Sequence, residues 1–267
     1  MNRRNFVAAA GAAVLTPVPA AAVFGQPPSR PQQDDRSWLE LREYHLPVGP
    51  ARGRVGDFLR DAAIPAWNRL GIQPVGVFNV AYGATKPSLY VLLPHPTLES
   101  VVTTAERLAA DDTYAAAAAD VLNAPLSDPA YVRIESSLMR AFTHMPRVEP
   151  PAGAATGASR IFEMRTYEGH NDDAVRRKMH MFNEAGEIQI FRDTGLTPVF
   201  FGETVIGQRM PNLVYMLTFP DMTERDRAWA TFSSAPAWRE LNAEPFYRDS
   251  VSNISDIILR PTAYSQV

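Results

Sequence analysis

The chain has 267 residues, 46% of them hydrophobic and 21% charged, with a formal net charge of −3. That is a globular composition, long enough for two domains of ordinary size, and its charge gives no basis for a nucleic-acid or anionic-membrane partner. It has no cysteine, which removes disulfides, thiolate metal sites and cysteine nucleophiles.

The N-terminus carries twin arginines, Arg3-Arg4-Asn5-Phe6-Val7, then an apolar run from Val7 to Leu15 and the small residues Ala20-Ala21-Ala22. This pattern predicts an export signal of the twin-arginine kind over residues 1–25, cleaved near Ala22, and a periplasmic or secreted mature protein. The run is too short to span a bilayer, which needs ~20 apolar residues, and Pro17 and Pro19 follow it. No later segment is long and apolar enough, so the mature chain is expected to lack a transmembrane anchor. Residues 26–36, rich in Pro, Gln and Asp, read as a disordered tail.

Trp38 to Tyr44 alternates as a strand. Glu40, Arg42 and Tyr44 share one face, with Leu39 and Leu41 on the other. A helix follows at Val55, Phe58, Leu59, Ala62, Ala66 and Leu70, interrupted by Pro65 and capped by Gly71. Strands are predicted at Pro74–Val80 and Leu89–Leu93, a helical region at Val101–Leu122, and a fourth strand at Tyr131–Phe142. Residues 145–159, rich in Pro, Gly and Ala, read as a linker.

The pattern then recurs. Ile161 to Tyr167 is a strand with Glu163, Arg165 and Tyr167 on one face and Phe162, Met164 and Thr166 on the other. His170 stands in the loop beyond it, and Asn171 reads as the N-cap of one helix with Val175, Met179, Phe182, Gly186 and Ile190 on its buried stripe. Strands at Pro198–Phe201 and Leu213–Leu217, helices at Thr223–Phe232 and Pro236–Asn242, and a last strand at Ser255–Arg260 complete it. Glu40 and Glu163 lie 123 residues apart; Gly71 and Gly195, and Leu89 and Leu213, lie 124 apart. Tyr114 and Trp238 are also 124 apart, and four motifs in order at nearly one spacing point to an internal duplication.

Each copy reads β-α-β-β-α-β, the ferredoxin-like unit. The expected fold class is α+β, with two tandem ferredoxin-like domains, residues 37–144 and 160–267, forming a pseudo-symmetric α/β barrel. Right-handed crossovers put both helices on one sheet face. The expectation assigns both Glu/Arg/Tyr triads to the other face, inside the barrel.

Glu163-Met164-Arg165-Thr166-Tyr167, Gly195-Leu196-Thr197-Pro198-Val199, Arg225 with Asp226 and Arg227, Pro236-Ala237-Trp238, and Ile258-Leu259-Arg260-Pro261-Thr262 together resemble the NIPSNAP family. The first copy departs from the pattern, with Thr113-Tyr114 in place of Pro-x-Trp and Leu138-Met139-Arg140-Ala141 at its end. The resemblance implies a dimeric α/β-barrel type of fold and leaves the reaction open. Relatives of that architecture include cofactor-free monooxygenases and haem proteins, a matter of fold analogy.

The candidate ligand-binding residues are Glu40, Arg42, Tyr44, Glu163, Arg165, Tyr167 and His170. An Arg would hold an anion, a Tyr donate a hydrogen bond, and a Glu orient the Arg or take a proton. The competing structural reading, slightly favoured, is a buried ion-pair network. His45, His95, His144, His170 and His180 form no His-x-x-x-His pair, so neither metal nor cofactor is expected. Gly49 to Gly56 lacks the Lys-Ser/Thr of a phosphate loop and reads as a plain loop. The leading expectation is a small molecule bound or transformed in the barrel interior. A scaffold or interaction protein is the alternative, a haem-binding barrel a weaker one, and a homodimer is left open.

Overall fold

The computed structural model describes residues 34–49, 51–83, 87–154 and 160–267. The expected export signal and most of the expected tail lie outside the described residues, as do residues 155–159 of the expected linker. The fold below belongs to the compact unit Asp35–Val267.

Eight strands close into one antiparallel barrel in the order β1-β3-β2-β8-β5-β7-β6-β4. They are β1 (Trp38–His45), β2 (Gly76–Tyr82), β3 (Ser88–His95), β4 (Arg133–Ala141), β5 (Ile161–Glu168), β6 (Thr197–Ile206), β7 (Asn212–Phe219) and β8 (Asn253–Pro261). Each half contributes a four-stranded sheet, β4-β1-β3-β2 and β8-β5-β7-β6. Two seams join them, β2 to β8 and β4 to β6. Closure leaves no strand edge unpaired, which a lone ferredoxin-like sheet would expose on both sides. At the β4–β6 seam the backbones approach closely. A Cβ on Gly202 would lie 2.9 Å from that of Met139.

The helices wrap the outside. The first crossover is α1 (Ala51–Phe58), a π-helical stretch Leu59–Ala63, and α2 (Ile64–Arg69). Pro65 has no N–H for the helical ladder, and the widened turn lies directly before it. Then come α3 (Leu98–Ala109), α4 (Asp112–Ala117) and α5 (Ala119–Leu122) in the first half. In the second are α6 (Asp172–Asn183), α7 (Glu187–Asp193), α8 (Met222–Ser234) and α9 (Pro236–Ala243). The single helix expected after Asn171 is two, because Gly186 takes φ 84° and ends the register between them. Asn171 does cap α6, its side chain accepting from the Ala174 N–H at 2.8 Å. Gly71 and Gly195 both end helices at positive φ, 79° and 86°.

Three apolar cores result. One lies between the first sheet and its helices and includes Tyr44, Leu59, Trp67 and Leu93. One lies beneath the helices of the second half and is aromatic, with Phe182, Phe191, Phe201, Tyr215 and Phe232. The third fills the bore, with Leu39, Leu41, Phe78, Leu92, Met139, Phe162, Met164, Phe200 and Met216. Phe78 and Phe162, one from each half, meet edge to face there at 4.9 Å.

One end of the bore is sealed symmetrically. After β4 the chain returns along the start of β6, where Glu149 N donates to Val199 O at 2.9 Å. After β8 it returns along the start of β2, where Gln266 N donates to Val75 O at 2.9 Å. Val148 and Val267 thereby join the core of the bore. The first part of the expected linker is thus packed structure, with Met145 fully buried. The opposite end of the barrel stays open.

Candidate functional site

The alternation read from the sequence holds, but the assignment of faces is inverted. Leu39, Leu41, Phe162 and Met164 point into the bore, while the two triads lie outside it, beneath the helices. Bulky apolar side chains fill a bore of this size. The buried polar groups go where other elements supply donors.

Those donors are nearly complete. The Glu163 carboxylate is fully buried and receives Arg165 Nη1 at 2.8 Å, Arg225 Nε at 3.0 Å, Arg225 Nη2 at 2.5 Å and Trp229 Nε1 at 2.7 Å. Arg165 also lies over the Trp229 ring, 4.7 Å from its centroid. Tyr167 accepts from the Tyr215 hydroxyl at 2.9 Å, and burial pushes both phenols above their ordinary range.

In the first half Arg42 grips Glu40 with two bonds, Nε at 2.7 Å and Nη2 at 2.9 Å. Ser136 Oγ donates at 2.7 Å, and His95 Nε2 lies 3.3 Å away. Burial would raise the Glu40 carboxyl, but His95, Arg42 and Ser136 outweigh it and hold it at about 2. Tyr44 is buried against Tyr131, edge to face at 5.7 Å. These carboxylates already have their partners and little room to receive a ligand. His170 is exposed in the β5–α6 loop, apart from both triads.

The open end of the barrel is different. A cavity of about 510 Å³ enters the bore there, with an apolar floor that includes Leu41, Met164, Val214 and Ile257. Its walls carry Glu43, His45, Tyr90, Arg133, Glu135, Arg209 and Asp256. Strand alternation carries the row Leu39, Leu41, Glu43, His45 from the packed bore to its mouth. The β1–β4 register sets Glu135 directly opposite Glu43, and the β1–β3 register sets Tyr90 opposite it on the other side.

Tyr90 donates its hydroxyl to Glu43 Oε2 at 2.7 Å. Burial and the neighbouring Glu43 push that phenol upward, so it remains a protonated donor. Glu43 Oε1 and His45 Nε2 are buried without a hydrogen-bond partner. His45 Nε2 lies 3.1 Å from Glu135 Oε1 and 3.9 Å from Glu43 Oε1. The shorter separation is a hydrogen-bond distance without a hydrogen bond's alignment. Arg133 Nε donates to Glu135 Oε1 at 2.7 Å, Gln208 reaches the other oxygen, and together they hold this carboxyl below its usual range. Across the mouth, Arg209 adopts a left-handed backbone at φ 58° and donates to Ser255 Oγ at 2.9 Å.

None of this cluster was a predicted ligand-binding residue. Glu43 and His45 are two apart on a strand, so their common face was readable. Glu135 and Tyr90 reach them only through the sheet register. Arg225, which completes the Glu163 network, did appear in the sequence, but only as part of a motif.

The architecture defines the class: an eight-stranded antiparallel α/β barrel made of two β-α-β-β-α-β halves. Within it, residues 162–266 match the NIPSNAP family model. Among solved structures, a proposed monooxygenase from Lactobacillus acidophilus NCFM is 9% identical with a TM-score of 0.56, covering 85% of this chain and 94% of that one. A second proposed monooxygenase, from Fusobacterium nucleatum, is 7% identical with a TM-score of 0.53, covering 85% and 92%. A NIPSNAP-like domain protein from Burkholderia xenovorans is 24% identical over 40% of this chain and 90% of its own, with a TM-score of 0.37. No curated protein matches the chain. At 7–9% identity the two barrel-wide likenesses establish the fold and leave the chemistry to the site. Among the described residues, no helix is long and apolar enough to cross a membrane.

Proposed function

We propose that this chain is an exported small-molecule-binding protein of NIPSNAP type whose ligand enters the open mouth of the barrel. The observation that carries the reading is the mouth cavity, where buried Glu43 Oε1 and His45 Nε2 lack partners above an apolar floor. Its volume of about 510 Å³ falls in the range of metabolite sites, and convergent polar groups over apolar walls are what such sites need. The fitting ligand has an apolar body, set against Leu41, Met164 and Val214, and a polar head that meets His45 and the carboxylates. Export rests on Arg3-Arg4 and the apolar run behind them.

The test is native mass spectrometry of the chain isolated from its own cells. Wild type is expected to carry an extra mass that denaturation releases. Thr166→Phe, which fills the mouth from the wall opposite β1, is expected to lose it while remaining folded. A bare wild-type mass, or a mass retained by Thr166→Phe, overturns the reading.

A further inference from the structure

We propose that Glu43, His45 and Glu135 form a binding site for a divalent transition-metal ion at the barrel mouth. The inference rests on the same cavity as the ligand reading, but its test fails separately. One ligand atom from each residue lies within 4.8 Å of the other two. Two donors bound at about 2.0–2.2 Å to a tetrahedral ion sit roughly 3.4 Å apart. The observed 3.1 Å and 3.9 Å from His45 Nε2 to the two carboxylates bracket that separation.

Three further observations point to a cation. First, the His45 side chain is only 9% exposed, and its Nε2 faces both carboxylates without bonding to either. A protonated ring acting as a simple bridge would aim its N–H at one of them. Second, Glu43 and Glu135 are direct cross-strand neighbours, an arrangement that like charges destabilise. Arg133 pairs with Glu135, and among the described residues Glu43 receives a hydrogen bond from the neutral Tyr90 hydroxyl alone, with His45 Nε2 3.9 Å away. A dication between them removes the conflict. Third, both carboxylates are already oriented. Tyr90 fixes Glu43 through Oε2 and leaves Oε1 turned to His45, while Arg133 and Gln208 fix Glu135. Such outer partners are what hold ligands in place around an ion.

One imidazole nitrogen and two carboxylate oxygens, in a chain without cysteine, suit Zn²⁺, Mn²⁺, Fe²⁺ or Co²⁺ and disfavour the soft ions that want thiolate. Three protein donors leave a position open toward the cavity. An ion there can take an oxygen of the bound molecule, a carboxylate, carbonyl or hydroxyl, as its next ligand. The site is one-sided. By strand register the second-half positions matching Glu43, His45, Glu135 and Tyr90 are Thr166, Glu168, Ser255 and Val214, which keep a single carboxylate and no imidazole.

The experiment is calorimetric titration of the chelator-treated full chain with Zn²⁺, paired with the visible absorption of its Co²⁺ form. One equivalent is expected to bind, with d–d bands of a nitrogen–oxygen site. Glu43→Gln, which keeps the Tyr90 contact, and Glu135→Gln, on the half-buried rim, each remove a direct ligand and are expected to weaken Zn²⁺ by at least the roughly 10- to 100-fold that loss of an outer partner costs. Asp256→Asn, a carboxylate at the same mouth outside the cluster, and Thr166→Phe are expected to leave it within about threefold. Far-UV dichroism establishes that each variant is folded, and Glu135→Gln decides the matter if Glu43→Gln is not. Absence of stoichiometric binding, an unchanged affinity in the Gln variants, or an equal loss in Asp256→Asn overturns the proposal. Zinc retained by Thr166→Phe while its ligand mass is gone separates the ion from the small molecule.

Discussion

The two halves of this barrel repeat one polar feature and differ in another. Glu40–Arg42 and Glu163–Arg165 occupy equivalent places beneath the helices of each sheet, and each carboxylate is saturated with donors. At the mouth the halves part company. The first places Glu43, His45, Tyr90 and Glu135 where the second has Thr166, Glu168, Val214 and Ser255. Symmetry-related carboxylates with satisfied bonds, although Arg165 Nε beside them lacks a partner, solve a problem that each half has, namely holding strand to helix layer around a buried charge. A one-sided cluster with orphaned atoms solves no such problem, and it borders a cavity. In this molecule the repeated polar residues are architecture and the unrepeated ones are the candidate site.

The largest effect is expected where architecture is broken. Glu163→Ala leaves Arg165, Arg225 and the Trp229 N–H facing a fully buried gap. Removing one partner of a buried charge network costs about 3–5 kcal/mol. Chemical denaturation should show that loss. A change below about 1 kcal/mol would mean the network carries little of the fold.

Acid should reach the first-half network next. Glu40 is held at about 2 in the folded chain against an ordinary 4.5. Its contribution is therefore fully present above about pH 4.5 and disappears as pH falls toward 2, amounting to about 3 kcal/mol. Unfolding free energies measured across that window should show the slope in wild type and lose it in Glu40→Gln. An unaltered slope in the variant would assign the acid sensitivity elsewhere.

A smaller cost is expected at the seam. Gly202→Ala would set a methyl 2.9 Å from the Met139 Cβ between β4 and β6. Overpacking of this kind costs about 1–3 kcal/mol, readable as a lowered Tm. The mouth variants mark the small end of the series. Glu43→Gln and Glu135→Gln relieve a like-charge neighbour and are expected to shift stability by less than about 1 kcal/mol. A loss comparable to that of Glu163→Ala would place the mouth cluster with the architecture instead.

Strand alternation made the Glu40/Arg42/Tyr44 and Glu163/Arg165/Tyr167 faces legible, and the two-half barrel with them. Which face looks inward was not legible. A row of Glu, Arg and Tyr is an acceptable buried face only if donors arrive from elsewhere, and His95, Arg225 and Trp229 are distant along the chain. The bore, in turn, demanded the bulk of Leu39, Phe162 and Met164 rather than polarity. For the mouth, Glu43 and His45 carried half of the signal by their spacing. Glu135 carried the rest and joined them only through the β1–β4 pairing, which the order of residues does not reveal.

The most direct measurement is an anomalous-scattering map from crystals of the full chain grown or soaked with Zn²⁺. A single strong peak among Glu43, His45 and Glu135, with none at Thr166 and Ser255 or at the Glu40 and Glu163 networks, is the expected result. Peaks confined to the triads, repeated at equivalent places in both halves, or absent from the mouth would contradict the assignment of function to the unrepeated cluster.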